Sequence, residues 1–411
     1  VNTFDYLCLL VGTNPLPNLV VAEYFLKNKL LAKEIFLIHS EMTPFHNGTL
    51  QEAERLNDII SEKYPSIKVN KVSISNINQA KIIKREVKEK IIERIPIKSS
   101  IHLNYTGGTK AMGIHVYNTF KDAQKFKASY SYLDAREYMI VDDDNGKITD
   151  DLRDSVHITF DKMITLHGFK RANQDPDTSA FINTIEMFKK FINENRIEEF
   201  YKSYKREIFL DKRGNLASRF NDLKNNFQKN NINNTVTNGI FLEIIKTLPE
   251  EVRLFDDEGN FQSPKDENIG KSLRYIDGAW FEDYVYSILK NNMPDKYIQK
   301  NWEIKKPEWS NQKFEIDVLV INGYQLIGIS CTTSDRKSIC KSKGFEMLLR
   351  CRQIGGDEAK AVLLTKIKKD KAEELQNELI ADTAGYQNIV VLSKEDWGEN
   401  LLCRKIKEFI N

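Results

Sequence analysis

Short apolar runs alternate with amphipathic stretches along the first 150 residues. "FDYLCLLVG" is a continuous apolar run of strand length, "NLVVAEYFLKN" has helical spacing, and "EIFLIHS", "IKVNKVSIS" and "SSIHLNY" read as further strands. The alternation predicts a mostly parallel α/β sheet. The loops that leave these strands are "GTNPLPN", "HSEMT", "SNINQ" and "TGGTK". Open α/β sheets bind ligands beyond the carboxyl ends of their strands, so the four loops are expected to converge on one pocket. "SYSYLDAREYMIVDDDNGKI" then turns antiparallel, with "DDNG" as the turn signal.

From about 175 to 265 the spacing becomes helical and the composition shifts to Lys, Asn and aromatics, with eleven Lys+Arg against seven Asp+Glu between 181 and 230. This is a helical connector with a solvated, mildly basic face, and "DDEGNFQSPKDENIGKS" marks its far boundary near 260 to 270. Beyond it come a helix in "GAWFEDYVYSILKN", the strands "FEIDVLVI" and "YQLIGISC" joined by "NG", a helix around "KGFEMLLRCRQIGG" and the strand "AKAVLLT". The order α-β-β-α-β predicts a second α/β core. The expected domains are therefore 1–165, 166–268 and 269–411.

Composition narrows the class. With 411 residues, 41% of them hydrophobic, the chain can build more than one core. Sixty-one Lys+Arg against fifty-nine Asp+Glu leave a net charge of +2, too balanced to declare a nucleic-acid partner, so any such surface must be local. Five cysteines without a C-x-x-C pair argue for buried thiols over disulfides or structural zinc, and the six histidines show no metal-ligand spacing. No apolar run is long enough to span a bilayer and "VNTFDYLCLLVG" has no basic leader, so no membrane association and a cytoplasmic location are expected.

The first candidate chemistry is "LNYTGGTKAM". Met112, Val116 and Phe120 fall four apart on one helical face after it, so the glycines occupy a strand-to-helix turn, where backbone N–H groups and the helix dipole favour anionic or polar ligands. A dinucleotide fingerprint is excluded because G-x-G-x-x-G is absent, and a Walker A loop because Thr109 intervenes before Lys110. What remains is a small donor-rich turn, or simply a tight turn capped by Thr109.

"VGTNPLPNLV" after the first strand and "NYTGGTKAM" after a later one together resemble the CARF domain, the Rossmann-like sensor of CRISPR-associated effectors that answer cyclic oligoadenylates. The resemblance covers roughly the first 150 residues. It implies a homodimer in which two "TGGTK" turns and two "GTNPLP" loops enclose one cyclic ligand, cyclic tetra-adenylate serving as allosteric activator. It also implies contacts from Thr13, Asn14, Thr106, Gly107, Gly108, Thr109 and Lys110, with Lys110 supplying charge. Ser40, Thr43 and Asn76 join them on strand-end position alone.

The second candidate lies in the last segment. Glu282 sits at the edge of an apolar helix face and Asp317 ends "FEID" as the chain enters a buried strand. Carboxylates at a core edge are costly unless something binds them, and two from a helix and a strand can hold Mg²⁺ or Mn²⁺. The element order resembles the PD-(D/E)xK nuclease core, which implies a restriction-endonuclease-like α/β domain. "SCT" from Ser330 stands where that family carries E-x-K. Either a lysine of the next helix, Lys341 or Lys343, replaces the missing cation, oriented by Glu346, or the site has decayed; Lys341 is the candidate taken. Arg336, Lys337, Lys341 and Lys343 form a basic run beside the site. The layout resembles effector nucleases activated by cyclic tetra-adenylate. The expected function is thus a metal-dependent endonuclease of type III CRISPR defence acting on DNA and/or RNA. The rival is a catalytically inactive sensor that binds nucleic acid or a protein partner; an ordinary nucleotide-dependent Rossmann enzyme rests on fold alone.

Overall fold

A computed structural model describes residues 3–44, 46–174, 179–204, 206–229, 239–262, 265–294, 297–308, 312–383 and 388–411. Two positions of the predicted boundary stretch, 263 and 264, fall outside them.

The first sheet comprises β1 (Phe4–Leu10), β2 (Leu31–Ser40), β3 (Lys68–Ile74), β4 (Ser100–Asn104), β5 (Lys127–Asp134), β6 (Met139–Asp142) and β7 (Gly146–Lys147). Its order is β3-β2-β1-β4-β5-β6-β7, parallel as far as β5 and antiparallel thereafter. Alternation along β1 explains the layering. Leu7 and Leu9 pack beneath α1 (Leu16–Lys27) and α2 (Leu50–Lys63), while Tyr6, Cys8 and Leu10 pack beneath α3 (Ala80–Lys90) and α4 (Lys110–Asp122). A strand buried on both faces reads as an unbroken apolar run, as β1 does.

After α5 (Phe160–Leu166), the short β8 (Lys170–Arg171) already belongs to the second sheet, pairing with β9 (Ile298–Lys305). The helical stretch holds α6 (Ile182–Asn193), α7 (Ile197–Ser203), α8 (Phe220–Lys229), α9 (Gly239–Thr247) and α10 (Asp266–Arg274). One π turn, Tyr275–Ala279, joins α10 to α11 (Trp280–Asn292). Then come β10 (Lys313–Asn322), β11 (Gln325–Thr332), α12 (Lys337–Gly355), β12 (Lys360–Thr365), α13 (Lys369–Asp382), β13 (Ile389–Leu392) and α14 (Glu399–Ile410). The sheet order is β13-β12-β11-β10-β9-β8.

The helical stretch is not a detached linker. One apolar core runs from Ile185 on α6 through α9 and α11 to Ile410, and Trp280 stacks on Phe188 with ring centroids 3.9 Å apart. The two sheets also meet directly. Tyr324 inserts into the core of the first domain, and the buried Arg153 bonds Gln325 Oε1 (3.0 Å) and the Ile410 carbonyl (3.0 Å) while covering the Tyr138 ring. Asn14 Nδ2 donates to Glu358 Oε2 (3.1 Å), just past the end of α12, and its Oδ1 lies 3.4 Å from His167 Nε2. Burial holds the His167 imidazole down at about 4, so it is neutral at this junction. All five cysteines are free and buried, and no helix among the described residues is long and apolar enough to cross a membrane.

Candidate functional site

The second sheet and the helical stretch enclose a cleft of about 870 Å³. Its floor is β10, where Glu315 and Asp317, two residues apart on one strand, face the same side. Glu282 enters from α11. Behind it, a buried ion pair between Asp283 and Lys300 (2.5 Å) fastens α11 to β9 and so fixes Glu282 over β10. The π turn adds a second fastening: the Asp277 carbonyl accepts the Thr333 hydroxyl (2.9 Å), and the Asp277 carboxylate takes Arg206 (2.7 Å) and Tyr204 (3.2 Å) from the helical stretch. Single π turns recur where a helix must re-aim a functional residue.

The departure from E-x-K acquires a structural role here. Ser330 sits opposite Asp317 in the β10–β11 ladder, its hydroxyl donating to Asp317 Oδ2 (3.3 Å) beside the Cys331 amide (2.7 Å). One Asp317 oxygen is thereby held and the other left for a ligand. Burial pushes the Asp317 carboxyl up, against these two hydrogen bonds and the Lys343 charge. Glu282 is raised well above the usual carboxylate range by burial and then by the Asp317 charge; Glu315 is raised for the same two reasons. Burial thus acts against ionisation of all three carboxylates, which share the cleft with the Lys343 ammonium.

The donor set is the test of fit for a divalent cation. Among the described residues no group of three His, Cys, Asp or Glu stands close enough to enclose a metal. Mg²⁺ and Mn²⁺ are nonetheless commonly bound through one or two carboxylates with the remaining positions filled by water or substrate. Glu282 and Asp317 match that donor set.

Lys341 does not join them. Its ammonium pairs with Glu378 (3.1 Å) and Asp382 (2.8 Å) on α13, while Lys343 lines the cleft with its Nζ 3.5 Å from the Cys331 carbonyl. Two residues span about 200° of helix, so the two lysines cannot face the same way. Lys337 is likewise spent on Glu374 (2.9 Å) and Glu378 (2.5 Å), and Glu346 lies beside Arg350 (3.8 Å). Half of the basic run is therefore an α12–α13 ion-pair seam. On the endonuclease expectation drawn from the sequence, Lys343→Ala is expected to lower the rate of nucleic-acid cleavage about a hundredfold, with Lys341→Ala within about twofold of the unaltered protein. Equal effects of the two substitutions in a cleavage time course would remove Lys343 from the site.

The opposite wall was not legible as part of a site. It carries Lys271 and Arg274 of α10, both exposed, and a stacked pair, Phe181 on Tyr275, with centroids 3.9 Å apart. Glu315 was equally overlooked, although its two-residue offset from Asp317 was the available signal.

The "TGGTK" turn borders a second cavity of about 530 Å³, lined by Thr106 to Lys110 with Tyr105, Ile114 and Tyr117. Thr109 caps α4, accepting from the Met112 amide (3.2 Å). Gly107 sits so near β1 that a Cβ would lie 2.1 Å from the Leu10 carbonyl, and Gly108 takes φ +75°. Thr106 Oγ1 is occupied, donating to Asn104 Oδ1 (2.7 Å) and accepting the Leu133 amide (2.7 Å). Tyr105 and Tyr117 meet edge to face (5.7 Å), and Tyr105 donates to Asp143 (2.6 Å).

The remaining sequence candidates do not line this cavity. Gly12 packs on Gly108, which keeps the exposed Thr13 nearby, but Asn14 turns toward Glu358. Ser40 is buried against Thr49 (3.3 Å), Thr43 forms a bridge with His46, and Asn76 closes a local turn by accepting the Asn78 amide (2.9 Å). Strand-end position brought these residues to the correct edge of the sheet without committing their side chains to the cavity.

Residues 7–159 match the family model for the Card1 CARF domain. Among solved structures, Can2 from Sulfobacillus thermosulfidooxidans, in complex with cyclic tetra-adenylate, is 18% identical over 99% of this chain and 99% of its own, with a TM-score of 0.61. VC1899 from Vibrio cholerae is 13% identical over 99% of this chain and 98% of its own, with a TM-score of 0.67. At these identities the likeness establishes a shared fold along the whole chain. No curated protein matches the sequence.

Proposed function

Because residues 7–159 form a CARF domain of the Card1 type, we propose that the chain is a homodimeric, cyclic oligoadenylate-activated, metal-dependent endonuclease of type III CRISPR defence that hydrolyses phosphodiester bonds of DNA and/or RNA. The activator is cyclic tetra-adenylate, the molecule bound to Can2. It sits on the "TGGTK" turns of two protomers, where Lys110, the α4 N-terminus and the Tyr105 and Tyr117 rings meet its phosphates and bases.

The observation that carries the reading is the meeting of Glu282, Asp317 and Lys343 in one cleft. Glu282 and Asp317 hold Mg²⁺ or Mn²⁺, which when bound lowers the pKa of water and offsets charge on a phosphodiester. Ser330 and the Cys331 amide orient Asp317. Lys343 orients the attacking water or a phosphate oxygen, the task the family gives to the lysine of E-x-K. Lys271 and Arg274 grip the backbone from the facing wall. Replacing both by alanine is expected to flatten the dependence of binding on log salt by between about 1 and 2, since each phosphate contact contributes about 0.7 to 0.9. Fluorescence anisotropy of an oligonucleotide across a salt series measures this, and an unchanged slope removes that wall from the interface.

The missing E-x-K favours a second reading, a sensor that binds nucleic acid or a protein without cutting it. Incubation with plasmid, single-stranded DNA and RNA, with and without cyclic tetra-adenylate and Mn²⁺, separates the two. Product that depends on both additions supports the nuclease; none under any combination supports the sensor.

A further inference from the structure

Asn301 is an anomaly of the second sheet. It lies within β9 yet has φ +51°, whereas the other described non-glycine residues of positive φ, such as Lys29, Tyr138 and Asn195, occupy turns or loops. The β9–β10 ladder pairs Trp302 with Ile316 and Lys300 with Val318, so Asn301 stands opposite Asp317, and the ladder is interrupted at that pair. A left-handed residue inside a strand costs energy and persists only where its surroundings enforce it. The enforcement is visible: Asn173 donates from Nδ2 to the Asn301 carbonyl (2.5 Å) and accepts the Glu303 amide on Oδ1 (2.9 Å), clamping the kink from both sides.

The kink leaves an unusual group behind. Asn301 lines the cleft that holds Glu282 and Asp317, and its side-chain oxygen Oδ1 is shut away from solvent with no hydrogen-bond partner among the described residues. A buried carbonyl oxygen without a donor forfeits its hydration for nothing, unless the partner is one that arrives later. A hard divalent cation is such a partner, because it takes neutral amide oxygens alongside carboxylates. Resting on the metal-dependent reading above, we infer that Asn301 is a third oxygen donor to the cation held by Glu282 and Asp317, and that it takes the place of the carboxylate that "SCT" lacks. The third donor then comes from β9, on the far side of Asp317 from β11, where E-x-K would have stood.

Mn²⁺ binding to the full-length protein, followed by calorimetry or by loss of the free-ion electron paramagnetic resonance signal, tests this apart from cleavage. Asn301→Gly removes Oδ1 and also suits the left-handed backbone, so its melting temperature is expected to equal or exceed that of the unaltered protein, while Mn²⁺ affinity falls about tenfold or more. Asn301→Asp retains an oxygen and tolerates the same backbone, so its affinity is expected to be preserved or raised. Asp317→Ala serves as reference for loss of the site. If Asn301→Gly binds Mn²⁺ as tightly as the unaltered protein while Asp317→Ala does not, Asn301 only shapes the turn and the inference is overturned alone. If the unaltered protein and Asp317→Ala bind equally weakly, the metal-dependent reading falls and the inference with it.

Discussion

Asp317→Ala will reduce ligand-stimulated cleavage to below about 1% of the unaltered rate, while cyclic tetra-adenylate binds with unchanged affinity and the melting temperature stays the same or rises. The first outcome follows from the carboxylate's position: it faces Glu282 in the cleft, with one oxygen fixed by Ser330 and the Cys331 amide. The third is less usual for a buried residue. The Asp317 carboxyl titrates above its ordinary value because burial penalises its charged form, so at neutral pH an ionised Asp317 is a cost to the folded state, and its removal relieves the repulsion felt by Glu282. A catalytic group is thus separated from a structural one by a single pair of measurements. Full cleavage by the variant would falsify the assignment, and a drop of many degrees in melting temperature would mark Asp317 as part of the framework instead.

The second large effect is expected at Gly107. An alanine Cβ there would lie 2.1 Å from the Leu10 carbonyl oxygen, which already accepts Asn18 Nδ2 (2.9 Å), so neither the strand nor the turn can yield without losing a contact. Gly107→Ala is expected to destabilise the protein by about 1 to 3 kcal/mol and to weaken cyclic tetra-adenylate binding at least tenfold. Gly113→Ala is the matched control: it lines the same cavity, but among the described residues its Cβ would meet nothing within 4 Å, and alanine is the better helix former. Thermal melts and calorimetry of both variants give the comparison. Undiminished affinity in Gly107→Ala would move the messenger away from this turn.

The first domain was legible because its signals are local. β1 reads as an apolar run and "DDNG" as a turn, and β5 to β7 do turn antiparallel. The second domain was harder. β9 alternates buried and half-buried residues as a strand should, but its charged and amide residues mask the period, and β8 is too short to leave a pattern. Glu282 and Asp317 stood out as polar intrusions into apolar elements. The cation could not be chosen from sequence, because Lys341 and Lys343 differ only in azimuth, which is decided by where α13 offers Glu378 and Asp382. Asn301 was invisible for a related reason: a left-handed kink is imposed by Asn173, 128 residues earlier in the chain. Asn14 shows the reverse, a motif residue whose side chain is claimed by Glu358 from the other domain.

That last contact bears on how the two ends of the molecule communicate. Gly356, the cap of α12, lies against Asn14, and Lys343 sits on the same helix thirteen residues back, about 20 Å at 1.5 Å per residue. A continuous helix hardly compresses or bends over that span, so the loop after β1 and the ammonium in the cleft are geared to each other, as the ends of a crankshaft are. Gearing has no preferred direction. On the function proposed above, any free energy the messenger put into turning this shaft would come back, with nucleic acid seated in the cleft, as an equal tightening of the grip on the messenger.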